Sequence, residues 1–446
     1  MVSKNVQTKF LKFLIPSIRP ATGELFNNFI ENIIEHLETP PMRVPIFGND
    51  ELPQDEHFSE QYKKLHNDVS EAKSKLNKFT PREYESLAMT VDLYHTLKGR
   101  LRGEFNMQIA TNAAMKIYEI VSQMDLFPST GVIRVFSNAE LPGAFIVAIN
   151  HFIKTNLTDV DFDWLASSYY PDETTEGFTI FGDNYGLYKN NREHWFMGPK
   201  PNAFIDDTVV NGNLLDADVV KTIALGVHQK FDALVADKSS TGATLYTSDA
   251  GTDVSEDFNR QEELTSMLNY GQVICGLFSL AKGGNFVTKQ YTFLTLFNRS
   301  LICLVSILFD ETYIIKPLTS RPINSEIYIV GKGFKGISIE LQEALLQRLS
   351  FYSKQKNGTT PCDWSPLLDY SIFYNIDKKI LQVAQKIFTQ QIVFINEAVT
   401  FHQTFRGDME LLKKRLWKLY REVHAEWLSQ NKMKRITKDK WISSTK

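Results

Sequence analysis

Three charged residues stand where short apolar runs meet polar sequence. Asp249 closes "LYTSD" (245–249), Lys289 closes "NFVTK" (285–289) and Glu326 opens "EIYIV" (326–330). These runs are rich in β-branched and aromatic residues and read as strands, and in an open α/β sheet ligands collect beyond the carboxyl ends of the strands. If the strand that Glu326 opens runs antiparallel to its neighbours, its start lies at the same edge as the ends carrying Asp249 and Lys289, and the three converge. A lysine between two carboxylates is either a solvated ion pair, the commoner outcome for charges at strand ends, or an amine presented to a ligand. Asp237, in "FDALVADKSS", also closes an apolar run and competes with Asp249. Only Asp249 leads directly into the helix and strand that bring Lys289.

The elements that would position these groups follow from spacing. Leu264, Leu268, Gly271, Cys275 and Phe278 fall on one face of a helix, which the glycines at 283 and 284 would end. Strand, helix, Gly-Gly, strand is a crossover unit. With "VIRVF" (132–136) and "TYII" (312–315) as further strands, residues 96–336 show an α/β pattern. Residues 1–95 read mainly as helices around a Pro-rich break at 40–54. The chain returns to helix after 337, with Leu412, Leu416, Leu419, Val423 and Trp427 on one side of a basic segment.

Composition narrows the classes. The chain has 446 residues, 43% hydrophobic and 23% charged, enough to bury a sizeable core. No stretch approaches the roughly 18 apolar residues of a membrane span, and the first 20 residues lack the apolar core of a secretory signal, so a cytoplasmic protein is expected, without membrane partners. Cys275, Cys303 and Cys362 lie far apart in mostly apolar surroundings, as buried thiols do. The nine histidines form no zinc-ligand spacing, and metal-independent chemistry is expected. A total charge of −3 argues against a globally basic nucleic-acid binder, yet from Leu411 onward eleven Lys and Arg face three acidic residues, a net +8 that leaves −11 for the remainder.

The segments "LYTSDAGTD", "EELTSMLNYGQVICGLFSLAKGGNFVTKQYTF" and "YIIKPLTSRPINSEIYIVGKGFKG" resemble the FtsJ-like ribose 2′-O-methyltransferases, especially the eukaryotic and large-DNA-virus enzymes that act beside the mRNA cap. "ELPGAFIVAINHFIKT" (140–155) is most similar to the Adrift-type branch, which modifies the second cap-proximal nucleotide. The resemblance covers about 103–336 and implies a Rossmann-like α/β fold that uses S-adenosylmethionine, flanked by a helical region at 1–102 and another, with a basic tail, at 337–446. It also implies a catalytic tetrad of Lys116, from "TNAAMKIYEI", with Asp249, Lys289 and Glu326. Lys289 would take or stabilise the proton of a ribose hydroxyl. Asp249 and Glu326 would orient it, and Lys116 would hold Asp249 or the hydroxyl in register.

The same resemblance assigns Glu140, Pro142, Gly143, Ala144 and Phe145 to the cofactor, although only one glycine stands where the family carries several. Asn213 replaces the family's aspartate as acceptor for the adenine amino group, and Phe162 or Trp164 would flank the base. Ser320, Arg321 and Asn324 are placed to touch the acceptor nucleotide of capped RNA. "YGLYKNNREHWF" (185–196) is a weaker candidate for stacking a base, and the basic tail for RNA phosphates. The helical ends are expected to serve self-association or docking to a transcription or capping complex. Two alternatives stay open: the same chemistry on structured rRNA or tRNA, and a non-catalytic subunit that keeps the fold for RNA or protein binding.

Overall fold

Alternate residues of the central strands face opposite layers. Val135, Leu245, Val287, Val330 and Ile315 are buried on one side of the sheet, and Phe136, Tyr246, Phe286, Ile329 and Ile314 on the other. A sheet apolar on both faces needs helices on both. One face receives the Asn112–Met124 and Ala144–Asn156 helices, the other the Ala217–Asp232, Gln261–Ser279 and Leu296–Leu308 helices. The computed structural model describes residues 10–17, 23–48, 56–169, 183–197, 211–234, 241–252, 258–355, 359–405 and 408–442. Asp237 and the last four residues of the basic tail lie outside them.

The strands are β1 (Leu11–Ile15), β2 (Gly131–Asn138), β3 (Val160–Ser167), β4 (Trp195–Phe196), β5 (Ala243–Ser248), β6 (Leu280–Gln290), β7 (Phe309–Lys316) and β8 (Ile327–Phe334). They form one sheet in the order β1-β7-β8-β6-β5-β2-β3-β4. From β6 to β4 every pairing is parallel, whereas β8 is antiparallel to both β6 and β7. The strand that Glu326 precedes is therefore reversed, as convergence of the three charges requires. The chain leaves β2 toward β3 on one side and returns to β5 on the other, so a crevice opens beyond the ends of β2 and β5.

Two local expectations change. The Gly-Gly pair does not end the crossover helix, which stops at Ser279, and β6 begins at Leu280 with both glycines inside it. Pairing with β5 slips there from Ala243↔Leu280 to Leu245↔Asn285. Gly283 has φ +82°, and a Cβ on Gly284 would stand 2.9 Å from the carbonyls of Ala243 and Ala281, so this is an irregularity that glycine permits. The helix itself is buried nearly all round from Asn269 onward, while Leu264 is exposed. The N-terminal region is likewise not helical throughout, since Leu11–Ile15 pairs antiparallel with β7 at the sheet edge.

Beyond β8 lie three long helices, Ile339–Ser353, Tyr370–Thr404 and Met409–Gln430. The expected stripe holds: Leu412, Leu416, Val423 and Trp427 are buried and Leu419 is half-buried. The basic tail is strapped to the body. His151 bonds the Lys434 carbonyl, Asn150 donates to the Lys440 carbonyl, and the Ile436 amide donates to the Phe105 carbonyl. All three cysteines are free and buried, and burial pushes their thiols up. Among the described residues no helix is long and apolar enough to cross a membrane.

Candidate active site

Register decides which groups meet at the carboxyl edge. Lys289 is the penultimate residue of β6 and lies directly opposite Tyr328 of β8. Opposite residues of an antiparallel pair share a face, and both reach Asp249, the first residue after β5. The Lys289 ammonium donates to the Asp249 carbonyl at 2.8 Å and lies 3.3 Å from carboxylate oxygen Oδ1, to which the Tyr328 hydroxyl donates at 2.9 Å. Glu326, just before β8, accepts from Lys116 at 2.8 Å through Oε2 and from the Ser320 hydroxyl at 2.8 Å through Oε1. Lys116, Asp249, Lys289 and Glu326 are thus assembled. Lys116 is paired with Glu326, where Asp249 or the ribose hydroxyl was the expected partner.

Burial alone would lower the Lys289 pKa, but the charges of Asp249, Tyr291 and Glu326 outweigh it and hold the amine well above its ordinary value. For Glu326 burial pushes upward, and Lys116, Lys289 and Lys316 prevail, keeping the carboxylate well below its usual range. Lys316, at the end of β7, was missed by sequence reasoning. Its buried amine donates at 2.6 Å to the carbonyls of Asn324 and Glu326, and burial brings its pKa down to about 7. Tyr328 was missed too. Its signal was present: it stands two residues after Glu326, on the period that puts side chains on one face of a strand.

The loop after β2 is stitched to the end of β3. The Glu140 amide donates to the Ser167 carbonyl at 3.0 Å, and the Leu141 amide to the Ser168 hydroxyl at 2.7 Å. The Leu141–Pro142 peptide is cis, and Gly143 has φ +104° with the Leu187 side chain filling the place of a Cβ. Ala144 opens the following helix, and the buried Glu140 carboxylate accepts from the Ile146 amide at 2.9 Å in its first turn. Burial pushes Glu140 up to about 8 against the amides of Ile146 and Phe145, and Asp249 adds to the rise. The Phe145 ring is buried, with its centroid 6.5 Å from that of Tyr328. It is a core side chain, and only its backbone stands at the loop.

Other expected contacts fare differently. Phe162 pairs with Ile133 near the start of β3, about 16 Å of strand from the Ser167 end, and so sits at the far edge. Trp164 is buried and stacks on His194, ring centroids 4.5 Å apart. The Asn213 side-chain oxygen accepts from the Leu215 amide at 3.0 Å, closing a local turn, while Gly212 beside it presses on the Ser168 carbonyl, which puts this loop at the correct edge. In 185–196 the apolar Leu187, Trp195 and Phe196 are core, and Arg192 covers the Tyr188 ring. Ser320 is buried with its hydroxyl on Glu326. Asn324 is half-buried, and the half-buried Arg321 has a buried Nε without a partner among the described residues.

Comparison with known proteins supplies the family. The family model of FtsJ-like methyltransferases matches residues 109–334, which span every tetrad residue. The chain belongs to that family. The probable methyltransferase EP424R of African swine fever virus (isolate Pig/Kenya/KEN-50/1950) is 35% identical over 84% of this chain and 84% of its own length. The cap-specific mRNA (nucleoside-2′-O-)-methyltransferase 2 of Danio rerio is 33% identical over 53% of this chain, and the match spans 30% of that longer protein. The mouse protein of the same name is 26% identical over 75% of this chain and 43% of its own length.

FtsJ-like methyltransferases typically use S-adenosylmethionine, and the residues present fit it. The Asp249 charge adds to the rise of the buried Glu140 carboxyl, so the two groups feel each other, and a cation beside them would be favoured. At Gly251 a Cβ would lie 3.2 Å from the Lys289 amine, so the missing side chain leaves space beside it. Glu140, the 142–144 backbone and the 211–213 loop would hold the cofactor.

Proposed function

We propose that this FtsJ-like methyltransferase transfers the methyl group of S-adenosylmethionine to the ribose 2′-hydroxyl of a cap-proximal mRNA nucleotide. The observation that carries the reading is the Lys289 amine at the crevice edge, fixed by both the carbonyl and the carboxylate of Asp249, with Lys116 and Glu326 beside it. The cofactor would supply an electrophilic methyl. A ribose hydroxyl is a poor nucleophile and must be aligned at about 3–3.5 Å from that methyl. Lys289, which its carboxylate neighbours hold protonated, orients the hydroxyl through its ammonium and would have to give up its own proton before it could accept the hydroxyl's. Tyr328 fixes the Asp249 carboxylate against Lys289, and Ser320 and Lys116 fix Glu326. Acceptor choice near a cap is supported by the relatives named for that reaction.

The test is methyl transfer to short capped RNA, with uncapped RNA of the same sequence in parallel and nuclease mapping of the product. Transfer to a cap-proximal ribose, reduced at least a thousandfold in Lys289→Ala with cofactor affinity retained, is the expected result. Equal transfer to uncapped RNA would move the substrate to structured RNA. Failure to bind S-adenosylmethionine at millimolar concentration would favour the non-catalytic subunit, for which Leu187 packed over Gly143 already offers a reason.

A further inference from the structure

Outside the tetrad, four donors converge on one carboxylate. Glu119 is fully buried on the Asn112–Met124 helix, three residues after Lys116 and so on the same side of it. Its Oε1 accepts from the Leu318 amide at 2.7 Å. Its Oε2 accepts from the Thr319 amide at 3.1 Å, the Thr319 hydroxyl at 2.8 Å and the Trp427 indole at 3.2 Å. One donor reaches Oε1 and three reach Oε2, and these bonds favour the ionised form against burial, which pushes the carboxyl upward. Among the described residues Glu119 has no cationic partner within ion-pair distance. A buried charge without a counter-ion is a poor way to gain stability.

The partners explain its place. Leu318 and Thr319 belong to the loop after β7, and the next residue, Ser320, holds Glu326 Oε1. Glu326 Oε2 takes Lys116, one helical turn before Glu119. Lys116, Glu326, Ser320, Thr319 and Glu119 thus close a ring that returns to the helix it left. Trp427 ties the Met409–Gln430 helix into the same ring from outside. We propose that Glu119 is a positioning residue for the methyl transfer proposed above, on which this inference rests, and that Trp427 makes the C-terminal helix part of the catalytic assembly.

Glu119→Gln keeps the volume but replaces one acceptor oxygen by an NH2 group, which must face either the Leu318 amide or the Thr319 and Trp427 donors. The loop then shifts, and a displacement of about 1 Å is enough for roughly a hundredfold loss of rate. The expected result for Glu119→Gln is a kcat about a hundredfold lower, with KM for capped RNA within about threefold and the calorimetric Kd for S-adenosylmethionine within about twofold. Trp427→Phe, which removes one donor of four, should lower kcat several-fold. In a crystal structure of Glu119→Gln the Lys116–Glu326 and Ser320–Glu326 separations should exceed hydrogen-bonding distance.

A folded Glu119→Gln with kcat within twofold of the parent would overturn the proposal. So would kcat and cofactor affinity falling together with a lowered Tm, the mark of a merely structural residue. If Glu119→Gln does not fold, Trp427→Phe decides, and an unchanged kcat there sinks the idea. If the parent protein itself transfers no methyl group, the functional reading has failed. The crystal structure then judges the ring alone: opened, it supports positioning, and intact, it refutes it.

Discussion

A carboxyl group that folding protonates leaves a mark on stability. Glu140 is pushed to about 8 by burial at the first turn of the Ala144–Asn156 helix, against roughly 4.3 in an unfolded chain. Between those values the folded state binds a proton that the unfolded state does not. Stability from this group is therefore fully present below about pH 4 and is lost as pH rises toward 8. The window is worth roughly 3–5 kcal/mol. Glu140→Gln keeps an acceptor for the Ile146 amide without the titration. Urea unfolding from pH 5 to 9, without cofactor, should show the variant gaining on the parent protein by about that amount. A constant difference across the range would mean that Glu140 is already ionised at pH 5. The carboxyl edge matters for another reason: a cation bound beside Glu140 would pull the proton off, so binding of a cationic cofactor there should release it.

At the scale of elements, three helices meet at one buried ion pair. Arg299, on the Leu296–Leu308 helix, contacts Asp377 of the Tyr370–Thr404 helix at 2.7 Å, and both side chains are fully buried. Asp377 also accepts from the hydroxyls of Tyr62, on the Glu56–Ser74 helix, and of Tyr370, and Arg299 donates to the Phe47 carbonyl. Arg299→Met would leave the carboxylate with hydroxyl partners alone, which should cost about 3–5 kcal/mol by urea unfolding. Joint replacement of Arg299 and Asp377 by apolar residues should recover much of it.

The sequence displayed the strands and hid the ties between them. β5, β6 and β8 were legible because their runs alternate across a sheet buried on both faces, and the ends of these strands located Asp249, Lys289 and Glu326. Lys116 was legible only through family resemblance, since nothing in its own helix distinguishes it from a surface lysine. Tyr328, Lys316 and Glu119 went unseen because their partners lie 79, 10 and up to 308 residues away, and their types are ordinary in a strand or helix. The Gly-Gly pair misled because glycine serves a helix end and a strand irregularity equally well.

At the scale of the whole molecule, the family-matched core is not self-sufficient. Every residue of the Leu296–Leu308 helix is buried, and a helix buried all round needs cover on each side. The Tyr370–Thr404 helix, outside the matched 109–334, supplies one side, and β1 closes the edge of β7. A fragment comprising 109–334 should therefore expose a long apolar face and an unpaired edge strand. Size-exclusion chromatography is expected to find it aggregated, and a monodisperse fragment with native-like melting would show that the flanking helices are dispensable.

The bond between Glu119 and the Trp427 indole joins residues 308 positions apart. On a ribosome adding about 5–20 residues per second, the helix that carries Lys116 emerges roughly 15 s to a minute before the indole that completes its surroundings. Throughout that interval the nascent chain already possesses Lys116 but not the last donor of its supporting carboxylate. On the proposal above, the nascent chain would stay several-fold below its full rate until the indole has joined the ring.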